Sequence, residues 1–131
     1  MPLSSRLLLH ALFGSVSLGL SVQAYSAGEP AGDPARGKTV FSQCSGCHAT
    51  TLQNNVGPHL AGVFGRTAGT VAGFHYSKAM AASGMVWNES TLDAFLAAPS
   101  KAIPGTSMPI ALAKAEDRTN VIAYLKTLSQ P

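Results

Sequence analysis

Two cysteines occur in this chain, three residues apart in Cys44-Ser45-Gly46-Cys47-His48. That spacing narrows what they can do. A bridge between them closes so short a loop that it restrains little. A redox-active dithiol needs a βαβ setting, and no stretch of the chain alternates apolar and polar residues with period two. A zinc site wants three or four protein ligands, and without a second cysteine pair only His10, His59 and His75 are left to complete one. The pattern that fits is c-type haem attachment. Each thiol adds to one vinyl group of the porphyrin, and the histidine after the second cysteine is held beneath the iron. The motif predicts one covalently attached haem c per chain, bonded at Cys44 and Cys47, with His48 as one axial ligand.

Composition sets the surroundings. The chain has 131 residues, of which 11% are charged, and a mean hydropathy of +0.18. This excludes a disordered or low-complexity chain and allows one domain. The net charge is +3, from nine bases and six acids, with no basic run. That argues against a nucleic-acid binder. Arg6 followed by an apolar stretch over 7–22 and by Val22-Gln23-Ala24 reads as an export signal. Cleavage is expected after Ala24, with Ala27 as second choice. Residues 1–24 are then the signal peptide, 25–33 a flexible leader and 34–131 the haem domain. The stretch is interrupted by His10 and two glycines and falls short of about 18–20 strongly apolar residues, so a retained membrane anchor is disfavoured. Export implies the periplasm of a Gram-negative bacterium.

The domain reads as all-α, with heavy loop content. Asp33-Pro34 is an N-cap followed by a proline at the first helical position. Gly37, Val40, Phe41 and Cys44 then share one helical face, and the helix is expected to end near Ser45-Gly46. Residues 49–75 hold five glycines and no sustained apolar period, an irregular length that makes sense only if it wraps something. A short helix is expected over 77–83, stopped by Gly84. A second is capped by Asn88, carries Leu92, Phe95 and Leu96, and is closed by Pro99. Ile103-Pro104-Gly105-Thr106 has the residues of a type II turn. The last helix runs from about 115 to 128, with Glu116 and Asp117 in its first turn and Val121, Tyr124, Leu125 and Leu128 as its buried stripe.

A six-coordinate electron carrier needs a second ligand from the far side of the haem. Met80, Met85, Met108, His59 and His75 are the candidates outside the signal. Thioether is the usual soft partner of imidazole, and it favours ferrous iron. Met108 stands in Pro104-Gly105-Thr106-Ser107-Met108-Pro109, a loop stiffened by two prolines. It is the leading candidate, with the two histidines next.

From Gly37 to Leu128 the sequence resembles the class I c-type cytochromes, in their mitochondrial-like and cytochrome c2-like group. The resemblance rests on Gly37-Lys38 with Val40-Phe41, the Cys44–His48 motif and Val56-Gly57-Pro58-His59-Leu60. It continues through Gly62-Val63-Phe64-Gly65-Arg66, Gly73-Phe74-His75-Tyr76 and Val86-Trp87. It ends in Ile103-Pro104-Gly105-Thr106-Ser107-Met108 and Val121-Ile122-Ala123-Tyr124-Leu125-Lys126. It implies a small all-α fold with N- and C-terminal helices crossing and loops wrapping one haem. By resemblance His48 and Met108 are the axial ligands, and the Pro58 carbonyl accepts from the other ring nitrogen of His48. Arg66, Tyr76 and Trp87 would bond around a buried propionate, with Thr106 near the other. Gly37 would let the first and last helices meet at Tyr124, with Phe41 packed there.

The chain also departs from that pattern. Phe95 stands where the family usually has a tyrosine. Pro109-Ile110 follows the methionine where mitochondrial forms place an aromatic residue two positions on, and the segment from Met108 to Arg118 is about one residue short. Gln43, Ser100 and Ser107 hold positions that are often lysine. The function implied is not enzymatic: a monomeric, single-electron carrier of a respiratory-type chain, docking donor and acceptor redox proteins at the haem edge near Cys44 and Cys47. The competing readings are a five-coordinate enzyme or gas sensor and a haem domain fixed in a larger complex.

Overall fold

The computed structural model describes residues 31–128. The expected signal peptide and most of the leader lie outside them. The described chain folds as α1 (Pro34–Val40), α2 (Lys78–Ala82), α3 (Glu89–Ala97), α4 (Pro99–Ala102) and α5 (Ala115–Lys126), joined by long loops. It forms no strand, only an isolated bridge between Thr67 and Val86.

Local chemistry accounts for the helix starts. The Asp33 carboxylate accepts from the amides of Ala35 and Arg36, with Pro34 at the first helical position. The Ser77 hydroxyl accepts from Met80 N. Asn88 and Thr91 satisfy each other's backbone N–H groups across the first turn of α3, which removes two orphan donors at once. The expected turn at 103–106 closes through Thr106 N to Ile103 O at 3.0 Å, with Gly105 at φ +92°.

Two boundaries and one buried face differ from expectation. The first helix tightens after Val40 into one turn of 3₁₀ helix, Phe41–Gln43, and a run of turns. The tighter winding brings the amides of Cys44 and Ser45 onto the Phe41 carbonyl, at 2.8 and 3.0 Å. Pro99 ends α3 but also opens α4, because a proline without an N–H is suited to a first helical position. The buried face of α5 includes Asn120 and Ile122 beside Val121 and Leu125, while Tyr124 is only half-buried.

α1 crosses α5 at Gly37. A Cβ there would overlap the Asn120 carbonyl and lie 2.8 Å from Tyr124 Cβ, so only glycine lets the backbones approach this closely. Beside the crossing, the rings of Phe41 and Tyr124 stand 5.3 Å apart. The end of the leader is tied in as well, since Asp33 N donates to Asn120 Oδ1 at 2.8 Å. α5 is joined to α3 by Arg118 Nε and Asp93 Oδ1 at 2.7 Å. The same guanidinium donates from Nη1 to the carbonyls of Leu112 and Ala113. These helices form a frame, with Val121 at its centre only 1% exposed. The loops complete the molecule around an internal slot.

Candidate cofactor site

The slot is a cavity of about 200 Å³. Its lining is mostly apolar and comes from every part of the frame: Phe41, Leu60 and Val63 from the N-terminal half, Leu92, Phe95 and Leu96 from α3, Val121 and Leu125 from α5. The loop over 49–75 does wrap this space, as its irregular length suggested.

Cys44, Cys47 and His48 line one side. The turns after α1 put all three there, with His48 N and Cys47 N both bonded to the Cys44 carbonyl, at 2.9 and 3.0 Å. Cys44 is half-buried, Cys47 is exposed, and neither is bridged. Burial, with Cys47 nearby, pushes the Cys44 thiol above its ordinary value. Among the described residues no three His, Cys, Asp or Glu side chains gather as a metal site, so the third ligand a zinc reading requires is missing there.

The His48 ring is fixed from behind. Its Nδ1 lies 2.7 Å from the Pro58 carbonyl oxygen. A carbonyl can only accept, so Nδ1 carries a proton, and in the neutral ring that leaves Nε2 with its lone pair. Gly57 clears room for the ring, since a Cβ there would collide with imidazole carbon Cε1 and sit 2.7 Å from Nδ1. Backbone bonds from Gly57 N to Cys47 O (2.9 Å) and from Leu60 N to Ala49 O (2.8 Å) hold the Gly57-Pro58 segment against the motif.

Two of the five candidates for the far ligand, Met80 and Met108, line the cavity. Met85, His59 and His75 do not. Met80 is buried in α2 among core side chains. Met108 is half-buried at the end of the two-proline loop.

Arg66, Tyr76, Trp87 and Thr106 also line the cavity. Arg66 is its one cationic side chain. The guanidinium donates from Nη1 to Ala61 O and from Nη2 to His59 O, each at 2.9 Å. No acid pairs with it among the described residues. Burial holds its pKa below the ordinary guanidinium value. Tyr76 accepts from Val71 N at 3.3 Å, and burial raises its phenol while Val71 and Arg66 partly offset the shift. A half-buried cation without a counter-ion is unfavourable unless an anion completes it. The donor set therefore fits a flat apolar group with carboxylates along one edge: apolar walls, two thiols, an oriented imidazole, thioethers and a guanidinium without an acidic partner among the described residues.

Sequence reasoning missed Asn54. Its amide donates to Ala72 O at 3.0 Å, and its Oδ1 accepts from His59 N at 3.1 Å. It ties the segment behind His48 to the next loop. An asparagine in a loop is too common to have signalled this.

Comparison with known proteins agrees with the geometry. A cytochrome c family model matches residues 34–129. The chain is 44% identical over 110 residues to cytochrome c2 of Rhodomicrobium vannielii, covering 82% of this chain and 85% of that one. It is 48% identical over 101 residues to cytochrome c of Chlamydomonas reinhardtii, covering 74% and 90%. Among solved structures, cytochrome cH from Methylobacterium extorquens superposes with a TM-score of 0.71 at 40% identity, covering 73% of this chain and 99% of that one. With fold, attachment motif and cavity in agreement, the chain belongs to the cytochrome c family, in its class I, cytochrome c2-like group, electron carriers rather than enzymes that hold one covalently attached haem c per chain.

Proposed function

We propose that this protein is an exported, monomeric carrier that moves single electrons between redox proteins of a respiratory-type chain in the periplasm. In this reading Cys44 and Cys47 form the thioethers, and His48 and Met108 ligate the iron. The observation that carries it is the 2.7 Å contact from His48 Nδ1 to Pro58 O. A histidine fixed as the Nε2-free tautomer within a thiol-bearing cavity wall is prepared for one purpose, ligation into that cavity.

The bound haem supplies the Fe(II)/Fe(III) couple. The chain does the rest. Pro58 and Gly57 set the orientation and basicity of the imidazole. Pro104 and Pro109 limit the conformations open to Met108, so that a weak thioether bond is made at little entropic cost. Arg66, Tyr76, Trp87 and Thr106 bind and orient the carboxylate edge. The buried aliphatic and aromatic walls exclude water. Met108 is favoured over Met80 because it sits in a stiff loop at the cavity mouth, whereas Met80 is part of the packed core.

Oxidised holoprotein should show the weak far-red charge-transfer band of thioether-ligated ferric haem. Met108→Ala should lose it while Met80→Leu keeps it, and the reverse result would move the ligand to Met80. Ready binding of CO by the ferrous protein at neutral pH would favour the five-coordinate reading. Export is supported by Arg6, the apolar stretch 7–22 and Val22-Gln23-Ala24. Mass measurement of the secreted protein should give a chain beginning at Tyr25. A coloured product retained in membranes with its N-terminus intact would overturn this.

Replacing both cysteines with serine tests the cofactor's share of stability. A cavity of about 200 Å³ costs on the order of 5 kcal/mol in lost packing, a large part of what a small domain has. The haem-free chain should lose its cooperative melt and bind hydrophobic dyes. A sharp, unchanged melt would show that the slot is not built around a cofactor.

A further inference from the structure

The helix α2 has only five residues, yet it is firmly held. At its start the Ser77 hydroxyl accepts from Met80 N at 3.1 Å, and at its end the Ser83 hydroxyl donates to Met80 O at 2.9 Å. The Met80 side chain between them is buried in the core. Gly69 backs onto the helix: a Cβ there would stand 2.7 Å from Ala81 Cα and 2.8 Å from Met80 O. The two backbones approach too closely for any side chain to fit between them, so α2 has no room to retreat on that flank. Ala79 of the same helix meets the turn that leads to Met108. A Cβ on Gly105, whose φ is +92°, would lie 3.0 Å from Ala79 Cβ. Beside this contact a shallow gap opens between Ala82, Ser83 and Met85 on one side and Ala102 and Pro104 on the other. The turn therefore rests on α2 through few side chains.

We infer that Ala79 is a positioning residue for the thioether ligand. It is a fixed stop on which Gly105 is seated, and that stop sets where Met108, three residues on, enters the cavity. The inference rests on the reading of Met108 as ligand and adds the residue that places it. The argument is about which partner yields. α2 is pinned by the Gly69 backbone, the buried Met80 and two hydroxyl bonds. The turn has the Thr106 N to Ile103 O bond, and beyond it only a long contact of 3.4 Å from Met108 N to Thr106 Oγ1. When two packed elements are forced apart, the less bonded one moves. A larger side chain at 79 thus displaces the turn and carries Met108 with it. Glycine at 79 takes the stop away.

The test compares Ala79 with Ala81 of the same helix in the haem-loaded protein. Ala81 is exposed and is not among the atoms that a Cβ on Gly105 would meet. Valine fills two of the three χ1 positions, so at 79 it has little freedom to turn away from Gly105. Without any denaturant, Ala79→Val should weaken the far-red band of the oxidised protein at least ~2-fold and speed CO uptake by the ferrous protein about 10-fold. Ala81→Val has the same helix cost and should leave both as in the wild type. In the opposite direction, Ala79→Gly should quicken amide exchange at Thr106 and Met108 about 10-fold, with residues 44–60 unchanged. Ala81→Gly should not.

A full-strength band in Ala79→Val, with urea midpoints lowered equally in both valine variants, would show that Ala79 is merely part of the packing and would overturn the inference. Equal quickening in the two glycine variants would do the same, and that pair decides alone if Ala79→Val fails to fold. A wild-type protein without the far-red band would instead remove Met108 as ligand, and the inference would fall with that reading.

Discussion

The two sides of the cavity are held in different ways. Residues 44–60, which carry the cysteines and His48, are stitched together by hydrogen bonds of 2.7 to 3.1 Å. These run within the motif, from Gly57 and Leu60 back to Cys47 and Ala49, from the His48 ring to Pro58, and through Asn54. Residues 103–112, which carry Met108, have few. Ile103 N reaches Pro99 O, Thr106 N reaches Ile103 O, Leu112 N reaches Leu96 O and Leu112 O accepts from Arg118. Between these anchors the described bond is Met108 N to Thr106 Oγ1, at a long 3.4 Å. That segment is held by proline stiffness and by burial of Ile103 and Leu112 at its two ends. The imidazole side is fixed by its own hydrogen bonds. The thioether side depends much more on what it touches.

The same substitution placed on each side should give the largest contrast. Gly57→Val drives a branched side chain into the His48 ring and should cost about 3 kcal/mol, with a disturbed axial field in the optical spectrum. Ser107→Val falls on an exposed residue and should stay within about 0.5 kcal/mol. Urea midpoints of the two variants measure this directly. Equal losses would mean that the loop is as tightly packed as the motif.

Next in size is the order of opening. A segment with few internal bonds opens before the frame does. On titration with urea the far-red band should vanish first, about 2 kcal/mol below global unfolding, while helical circular dichroism persists. Loss of both signals together would show one cooperative unit and break the comparison.

This asymmetry also explains what could be read from the sequence. The attachment motif was legible because its residues are neighbours in the chain: Cys44, Cys47 and His48 fall within five positions and line one cavity. The caps at Asp33 and Asn88 were legible for the same reason, since each bonds to an amide within three residues. Asn54 bonds to the carbonyl of Ala72, 18 residues away, and Asn120 to the amide of Asp33, 87 away. A backbone group as distant partner has no residue type, so neither asparagine leaves a pattern. The switch to 3₁₀ winding at Phe41 was hidden too, because the apolar spacing through Cys44 is the same for a helix that continues.

Removing Asn54 probes the stitched side more gently. Asn54→Ala deletes two hydrogen bonds and should cost about 1–2 kcal/mol. Amide exchange should quicken at His59 and nearby, leaving residues 103–112 as they were. Faster exchange confined to the methionine loop would show that the two sides are coupled through the cavity rather than held separately.

The smallest expected effect is a pH dependence that belongs to one side alone. His59 sits behind the motif with Nδ1 buried and without a hydrogen-bond partner. Burial, and then the nearby Arg66 charge, hold its pKa below the ordinary imidazole value of 6.5. Residues 103–112 contain no titratable side chain. The folded state prefers neutral His59, so as pH falls below 6.5 the unfolded chain takes up the proton more readily. The stabilisation is complete above that value and is lost as pH drops toward the folded-state pKa. Urea midpoints should therefore fall between neutral and mildly acidic pH, and His59→Asn should flatten part of that fall. The far-red band of the folded protein should be indifferent over the same range, because nothing in the loop that bears Met108 takes up a proton there. A band that fades in step with His59 titration would show that the imidazole side controls the thioether side, and the two would have to be treated as one.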